Sequence, residues 1–311
     1  MALNENARAL AGRVVLVTGA GRGLGRAHAL ACAALGAKVV VNDYGGARDG
    51  TGTSLVPAEQ VVEEIRAAGG EAVADAGNVA EPDDAAAMIE LALSHFGSLH
   101  VLVNNAGILR DKSLLNMTIE DWTAVVDVHL RGSFVMTQAA GRYWRDRSKV
   151  GETIAARVIN TTSGSGLFGN FGQANYSAAK GGIASLTVLT AIELGRYGVT
   201  ANAIAPVAKT RLISQNGETL PLNQGFDPLD PANVSPLVCW LASENSREVT
   251  GQIFSVVGGF VGVVEGYNCG PALQLDRKLT FADIDGALPG IVRQAKPRTT
   301  VRQSHPYVKG S

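Results

Sequence analysis

Short runs of β-branched and other apolar residues alternate with helix-like segments along most of the chain. We predict strands at 13–18, 37–43, 71–77, 99–105, 157–162, 199–205 and 251–257, and helices at 23–35, 55–68, 83–96, 118–146, 174–196 and 232–243. Strand–helix–strand alternation builds right-handed βαβ units and a parallel sheet. The predicted strands are apolar throughout, as is typical when helices cover both faces of the sheet. We therefore predict an α/β fold with a doubly wound parallel sheet of about seven strands in three α/β/α layers.

Composition limits the classes of partner and the location. The chain has 311 residues, 46% of them hydrophobic, and a formal net charge of −1. A nearly neutral chain has no general attraction to nucleic acid or to anionic membranes, so neither is expected as a partner. The longest uncharged apolar run, 249–264, is too short and too rich in glycine to span a bilayer. The start of the chain has no apolar leader, and we expect a cytoplasmic protein.

The three cysteines and the end of the chain are the remaining features of organisation. Cys32, Cys239 and Cys269 lie far apart in the sequence and lack metal-ligand spacing. We expect free thiols and no metal site. After about residue 265 the chain becomes basic and polar, and only a short helix near 280–293 is predicted there. We predict one catalytic domain over 1–264 and a partly helical or extended C-terminal extension over 265–311.

A glycine-rich turn follows the first predicted strand and opens the first helix. It reads T-G-x-x-x-G-x-G, with Gly19, Gly23 and Gly25 at the spaced positions. Glycines allow a tight turn and a close approach of backbone N–H groups to a pyrophosphate, and the N-terminus of the helix adds its positive end. The position between a strand and a helix predicts a dinucleotide site.

Two charged residues give opposite indications about the form of the dinucleotide. Asp43 ends the second predicted strand, where a carboxylate can accept hydrogen bonds from the adenosine ribose and repel a 2′-phosphate. Arg22, inside the turn, could instead bind that phosphate. Repulsion between a carboxylate and a phosphate at close range is strong, so we favour NAD over NADP.

A tyrosine and a lysine lie four residues apart on a predicted helix. Tyr176 and Lys180 share one helix face at this spacing. A nearby ammonium favours the phenolate, so we expect a lowered pKa for Tyr176 and a role as general acid and base for an alcohol or carbonyl oxygen.

These residues and their neighbours resemble the short-chain dehydrogenase/reductase family over roughly 10–262. Ser163 lies 13 residues before Tyr176 just past a predicted strand, and the sequence Asn104-Asn105-Ala106-Gly107 ends another strand. The resemblance implies a Rossmann-like domain in which Ser163 holds the substrate oxygen, Tyr176 exchanges its proton, and Lys180 holds the nicotinamide ribose and tunes Tyr176. The resemblance also implies a set of cofactor-binding residues, namely Gly19, Arg22, Gly23, Leu24, Gly25, Asp43, Asn78, Val79, Asn105, Ala106, Gly107, Lys180 and Pro206.

The chain departs from the common family pattern at three positions. His129 stands where many members have a catalytic asparagine, so we expect either a proton relay built on the imidazole or a histidine packed between helices. Val207 replaces a glycine after Pro206 and restricts the backbone there. Asn78 replaces an aspartate that usually contacts the adenine, and an amide can both donate and accept at that place.

Several longer stretches are similar to one subgroup of the family, the (3R)-hydroxyacyl-CoA dehydrogenase unit of peroxisomal multifunctional enzyme type 2. They are the loop from Asn42 to Gly52, Asn105–Asp111, His129–Phe134 and Gly169–Tyr176. This similarity implies NAD-dependent oxidation of a (3R)-3-hydroxyacyl-CoA to a 3-oxoacyl-CoA. Three alternatives stay open: an NADPH-dependent reductase of 3-oxoacyl-acyl-carrier protein, a dehydrogenase of hydroxysteroids or of steroid side-chain CoA esters, and a silent NAD-binding regulator.

The sequence also indicates candidate residues for a substrate pocket and helices for a homo-oligomer interface. Substrate-lining candidates besides Ser163 are Leu167, Phe168, Phe171 and Leu212, which could equally belong to the core. We expect the proline-containing segment 206–231 to form a flap over the site. By family resemblance, the helices at 118–146 and 174–196 would pair across a two-fold axis into a homodimer or homotetramer.

Overall fold

In the computed structural model, the residues described are 8–152, 154–209, 226–266, 268, 270–296, 299 and 301. Within them, eight strands form one sheet in the order β3-β2-β1-β4-β5-β6-β7-β8. The strands are β1 (Val14–Val17), β2 (Lys38–Asn42), β3 (Glu71–Asp75), β4 (Val101–Asn104), β5 (Ala156–Thr161), β6 (Val199–Pro206), β7 (Ile253–Val257) and β8 (Phe260–Val263). The first seven are parallel to their neighbours, whereas β8 returns antiparallel to β7.

Helices cover both faces of this sheet. They are α1 (Gly23–Ala34), α2 (Val56–Ala67), α3 (Pro82–Phe96), α4 (Ile119–Val126), α5 (Gly132–Lys149), α6 (Gly164–Phe168), α7 (Ala174–Leu194), α8 (Ser235–Ala242) and α9 (Phe281–Gln294). Buried side chains form two clusters: one contains residues of α1, α2 and α8, the other residues of α3 and α5. The doubly wound three-layer α/β/α prediction is thus confirmed.

The strand sequence explains why the sheet is central. All four residues of β1 are buried, as are all six of β5, so these strands have no solvent-facing side. The strands β2 and β3 lie on one side of β1, and β4 and the strands after it lie on the other side, so the strand order reverses between β1 and β4. Ligands of doubly wound sheets bind at such a switch point, outside the carboxyl ends of the strands.

Three elements differ from the prediction. The strand β8 was not predicted, because its four residues continue directly from the apolar run that includes β7. The short helix α6 was also missed, since Gly164 and Gly166 disfavour a helix by propensity. The predicted helix at 118–146 is interrupted: the five residues Asp127–Arg131 form a π-helical turn between α4 and α5.

Two cysteines meet in the core. Cys32 and Cys239 are far apart in the sequence, but both are buried and their Sγ atoms lie 3.8 Å apart between α1 and α8, without a disulfide. The middle of the predicted flap, 210–225, lies outside the described residues. Among the described helices, none combines the length and the apolar character that crossing a bilayer requires.

Candidate active site

The glycine-rich turn lies between β1 and α1, at the switch point. Gly19 and Gly23 have left-handed backbone with φ of 61° and 54°, which glycine adopts without strain. A Cβ on Gly25 would lie 2.2 Å from the Gly19 carbonyl oxygen, so a side chain does not fit there. The side chain of Arg22 makes no capping hydrogen bond at the N-terminus of α1. This close-packed turn with an uncapped helix start fits a dinucleotide pyrophosphate.

Asn105, just after β4, fixes the shape of the turn. Its Nδ2 donates to the carbonyl oxygens of Thr18 at 2.9 Å and Gly19 at 3.1 Å. The Thr18 hydroxyl in turn accepts from the backbone N–H groups of Asn105 and Ala106, at 3.0 and 3.1 Å. The two loops at the switch point therefore form one hydrogen-bonded unit.

Asp43 holds a second part of the turn. Its Oδ2 accepts from the backbone N–H of Gly21 at 2.7 Å, and its Oδ1 accepts from the N–H of Gly45, also at 2.7 Å. The residue is only 8% exposed. The carboxylate thus lies beside the turn, as predicted, and it also orders the start of the loop after β2.

The other predicted cofactor residues lie at neighbouring strand ends. Asn78 folds its side-chain oxygen back onto the N–H of Ala80 at 3.0 Å. Val79 is buried, and a Cβ on Gly132 would lie 2.7 Å from its Cγ2. Pro206 is the last residue of β6. The structure thus places these residues at the carboxyl edge of the sheet, while their contacts with a cofactor stay predictions.

Ser163, Tyr176 and Lys180 come together beyond the end of β5. Ser163 caps α6, and its Oγ accepts from the N–H of Ser165 at 3.2 Å. Tyr176 and Lys180 lie in the first two turns of α7, with the Lys180 Nζ 5.6 Å from the centre of the tyrosine ring. Lys180 is almost fully buried, and its Nζ donates to the Thr161 carbonyl oxygen at 2.5 Å. The spacing of these residues in the sequence therefore corresponds to a single cluster.

The electrostatic state of this cluster differs from the expectation in one respect. Burial raises the pKa of Tyr176, and the hydrogen bond with Ser163 offsets only part of that rise. The predicted lowering of the Tyr176 pKa is therefore wrong for the chain alone, because burial outweighs the hydrogen bond with Ser163 and the charge of Asp111 raises the pKa further. Burial also lowers the pKa of Lys180 to about 7. An amine with that pKa can gain or lose a proton near neutral pH.

His129 faces Tyr176 from the π-helical turn. Its ring lies edge-on to the tyrosine ring, with centroids 5.2 Å apart. A Cβ on Gly107 would lie 2.3 Å from His129 Cε1, so glycine makes room for the imidazole. The Nε2 lies 2.8 Å from the carbonyl oxygen and 3.1 Å from the backbone nitrogen of Ile108, so both polar backbone groups of that residue meet the same ring nitrogen.

The remaining nitrogen of His129 is available for a polar partner. Burial, followed by the charge of Lys180, holds the pKa of His129 well below 6.5, so the imidazole is neutral. Nδ1 is buried and has no hydrogen-bond partner among the described residues. The residue is therefore buried next to the acid–base cluster, while its part in a proton relay stays a prediction.

The predicted substrate residues are dispersed. Leu167 and Phe168 lie half-buried on α6, next to Ser163. Phe171 is 91% exposed, so it lines no closed pocket in the single chain. Leu212 lies outside the described residues. Their contacts with a substrate stay predictions.

One site residue escaped the sequence analysis. Asn175 precedes Tyr176, and its side chain is buried and hydrogen-bonded to the neighbouring segments. An amide in the first turn of a predicted helix was the available signal, because asparagine is favoured near helix starts.

Comparison with known proteins finds relatives over most of the chain. The family model described as short chain dehydrogenase matches residues 13–219. A hydroxyacyl-CoA dehydrogenase from Mycobacterium tuberculosis is 47% identical over 83% of this chain and 81% of its own length. A 3-oxoacyl-[acyl-carrier-protein] reductase from Synechocystis is 44% identical over 81% of this chain and 98% of its own.

A longer relative and a solved structure extend the comparison. Peroxisomal multifunctional enzyme type 2 from Drosophila melanogaster is 47% identical over 79% of this chain, and the chain spans 39% of that protein. The predicted resemblance to its dehydrogenase unit is thereby confirmed. The crystal structure of a short chain dehydrogenase from Mycobacterium avium is 49% identical, with a TM-score of 0.83 over 94% of this chain and 98% of that one.

Proposed function

The chain belongs to the short-chain dehydrogenase family, and we propose that it oxidises (3R)-3-hydroxyacyl-CoA to 3-oxoacyl-CoA with NAD. It is an oxidoreductase that uses a nicotinamide cofactor and a small-molecule substrate. The observation that carries the catalytic part is the contact of Ser163 and Tyr176 hydroxyls next to the buried Lys180. The acyl-CoA substrate is supported by the similarity to the mycobacterial relative, which is a hydroxyacyl-CoA dehydrogenase.

Each residue of the cluster has a role in this proposal. The bound nicotinamide supplies the hydride acceptor. Ser163 holds the substrate oxygen by a hydrogen bond, and Tyr176 accepts the hydroxyl proton as the alcohol becomes a ketone. Lys180 stabilises the phenolate of Tyr176, and its low pKa lets it pass a proton onward near neutral pH. The Nδ1 of His129, which has no partner among the described residues, can take part in a hydrogen bond along this route.

The preference for NAD is argued from Asp43. Its carboxylate is held beside the turn by the N–H groups of Gly21 and Gly45. A 2′-phosphate next to this carboxylate would be repelled, because both carboxylate oxygens are held in place by backbone hydrogen bonds. We therefore propose NAD as the cofactor and treat NADP as the weaker ligand.

An oligomer and a cytoplasmic location belong to the same proposal. Val188, Leu189 and Ile192 of α7 are exposed on one side of a helix whose opposite side is buried. A helix that is apolar all round is normally covered, which supports packing against a second copy as a homodimer or homotetramer. The buried free thiols of Cys32 and Cys239 fit a reducing compartment.

A second candidate is the reduction of 3-oxoacyl-acyl-carrier protein with NADPH. The similarity to the Synechocystis reductase, which covers nearly the whole of that protein, favours it. It uses the same acid–base residues in the opposite direction. It differs in the cofactor and in the carrier of the acyl group.

A rate assay on the purified chain tests both candidates. In the forward direction, (3R)-3-hydroxyacyl-CoAs of graded length or a steroid alcohol are offered with NAD or NADP, and nicotinamide absorbance is followed. The reverse direction is measured with 3-oxoacyl-acyl-carrier protein and NADPH. We expect turnover of the acyl-CoAs with NAD and none in Tyr176→Phe. Faster turnover with NADPH and acyl-carrier protein would favour the second candidate. Turnover of the steroid alcohol alone would contradict both candidate functions. NADH binding without turnover of any of these substrates would also contradict both.

A further inference from the structure

Asn175 is a fully buried amide in the first turn of α7. Among the described residues, its side chain makes no hydrogen bond to the predicted substrate residues or to the glycine-rich turn. Its Nδ2 donates to the carbonyl oxygens of Arg110, at 3.1 Å, and Asp121, at 3.0 Å. Its Oδ1 accepts from the backbone N–H of Tyr176 at 2.7 Å. Three of the hydrogen bonds that a carboxamide can make are therefore used.

These bonds join three segments around the site. Arg110 belongs to the loop that follows β4 and includes Ile108, the partner of His129. Asp121 belongs to α4, and Tyr176 to α7. A second link runs parallel to the first: the Gln173 Nε2 donates to Asp111 Oδ2 at 3.1 Å. Of these two links, the one through Asn175 uses a fully buried side chain and ends on the backbone of the catalytic tyrosine.

We propose that Asn175 is a positioning residue: it holds the backbone of Tyr176 against the loop after β4 and α4, so that the tyrosine hydroxyl stays aligned with Ser163. This inference rests on the proposed function of Tyr176 as the acid–base residue. It concerns the chain's own residues and does not depend on which secondary alcohol is the substrate.

The physical reason is the number of backbone groups that depend on one side chain. The first N–H groups of a helix lack intrahelical acceptors, and the N–H of Tyr176 is one of them. Removing the amide leaves that donor without its acceptor and takes away the Nδ2 donor of two partly buried carbonyl oxygens. The first turn of α7 can then shift, and displacements of about 1 Å in a reacting group can lower the rate about 100-fold.

The loss of alignment also has a spectroscopic consequence. The hydrogen bond with Ser163 lowers the pKa of Tyr176, against the rise caused by burial. A tyrosine that no longer meets Ser163 loses this lowering while it stays buried. Its pKa should therefore rise, and the pH profile of the reaction should move to more alkaline values.

Asn175→Ala tests the inference, with Asn202→Ala as the matched control. Asn202 is a buried asparagine in β6 whose Nδ2 donates to the Val249 carbonyl at 2.8 Å and whose Oδ1 accepts from the Gln252 N–H at 3.0 Å. It makes comparable backbone hydrogen bonds without contacting the acid–base cluster. Asn175→Asp is a second variant, since it keeps the shape and the acceptor oxygen but loses both donors.

Four measurements distinguish the outcomes, and the first is urea unfolding, which gives the stability of each variant. NADH binding shows that each variant is folded, and kcat gives the rate. The pKa of Tyr176 is measured without a substrate, as the difference in phenolate absorbance between each protein and the same protein carrying Tyr176→Phe. We expect both Asn175 variants to bind NADH within about threefold of wild type, to lose about 100-fold in kcat and to show a raised Tyr176 pKa. Asn202→Ala should lower stability with neither of the last two effects.

Other results separate this inference from the proposed function. If Asn175→Ala and Asn202→Ala lose the same stability and both keep the wild-type kcat and Tyr176 titration, the positioning role is refuted. A raised Tyr176 pKa in both Asn175 variants supports the role even if acyl-CoAs prove not to be substrates. If Tyr176→Phe keeps the wild-type rate, the proposed function itself fails.

Discussion

His28 gives the folded protein a specific sensitivity to acid. The residue lies on α1 facing α8, and its imidazole is completely buried. Its Nδ1 lies 2.9 Å from Ser235 Oγ, while Nε2 has no partner among the described residues. Burial lowers the pKa of His28 from 6.5 to about 3. The folded protein therefore holds this histidine neutral at a pH where the unfolded chain protonates it.

The sign and size of the effect follow from proton linkage. Between about pH 3 and 6.5 the unfolded chain binds more protons than the folded one, so the free energy of unfolding falls as the pH falls. The stabilisation is complete above about pH 6.5 and is lost at up to ~1.4 kcal/mol per pH unit below it. Acidification from about pH 7.5 to 5.5 should thus cost about 1.4 kcal/mol through His28 alone.

Urea unfolding at these two pH values measures this loss. His28→Gln removes the titrating group, so the stability of the variant should fall by about 1.4 kcal/mol less than that of wild type over the same interval. His95→Gln is the control, because His95 is an exposed residue on α3 and should leave the difference unchanged. Equal pH dependence in His28→Gln and wild type would refute the argument that burial of His28 makes the fold acid-sensitive.

Two further substitutions test the ion pairs of Glu244 and the packing of Gly107 against His129. Glu244 is the carboxylate partner of the buried Arg13 and Arg157, but its own side chain is 58% exposed, so solvent screens the pairs. Glu244→Gln should therefore lower the free energy of unfolding by about 1 kcal/mol, and an unchanged urea midpoint would contradict this. Gly107→Ala would place a methyl group 2.3 Å from His129 Cε1. Overpacking should displace the imidazole and lower kcat at least about tenfold, and a kcat within about twofold of wild type would show that the ring position is irrelevant.

The local pattern of the sequence predicts much of the fold and of the site. Alternating strands and helices define the sheet, and the positions of Ser163, Tyr176 and Lys180 after a strand or along one helix place them together. Such contacts follow from short-range periodicity, because parallel strands end at one edge of the sheet. For the same reason, the glycines of the turn could be assigned from their place between β1 and α1.

Contacts between distant segments could not be predicted in this way. His28 meets Ser235, and Cys32 meets Cys239, across 207 residues in each case. No local signal encodes which faces of α1 and α8 pack together. The raised pKa of Tyr176 likewise depends on how deeply the assembled helices bury the ring, which residue spacing does not reveal.

The anchoring of Lys180 decides which variant makes a useful inactive enzyme. Its ammonium satisfies the carbonyl of Thr161 at the end of β5, and the Thr162 hydroxyl donates to the Lys180 carbonyl at 2.7 Å. A lysine replacement therefore strips a buried strand of its hydrogen-bond donor and confounds lost chemistry with a loosened scaffold. Tyr176→Phe removes only a hydroxyl, so trapping a bound substrate for crystallography should begin with the tyrosine variant.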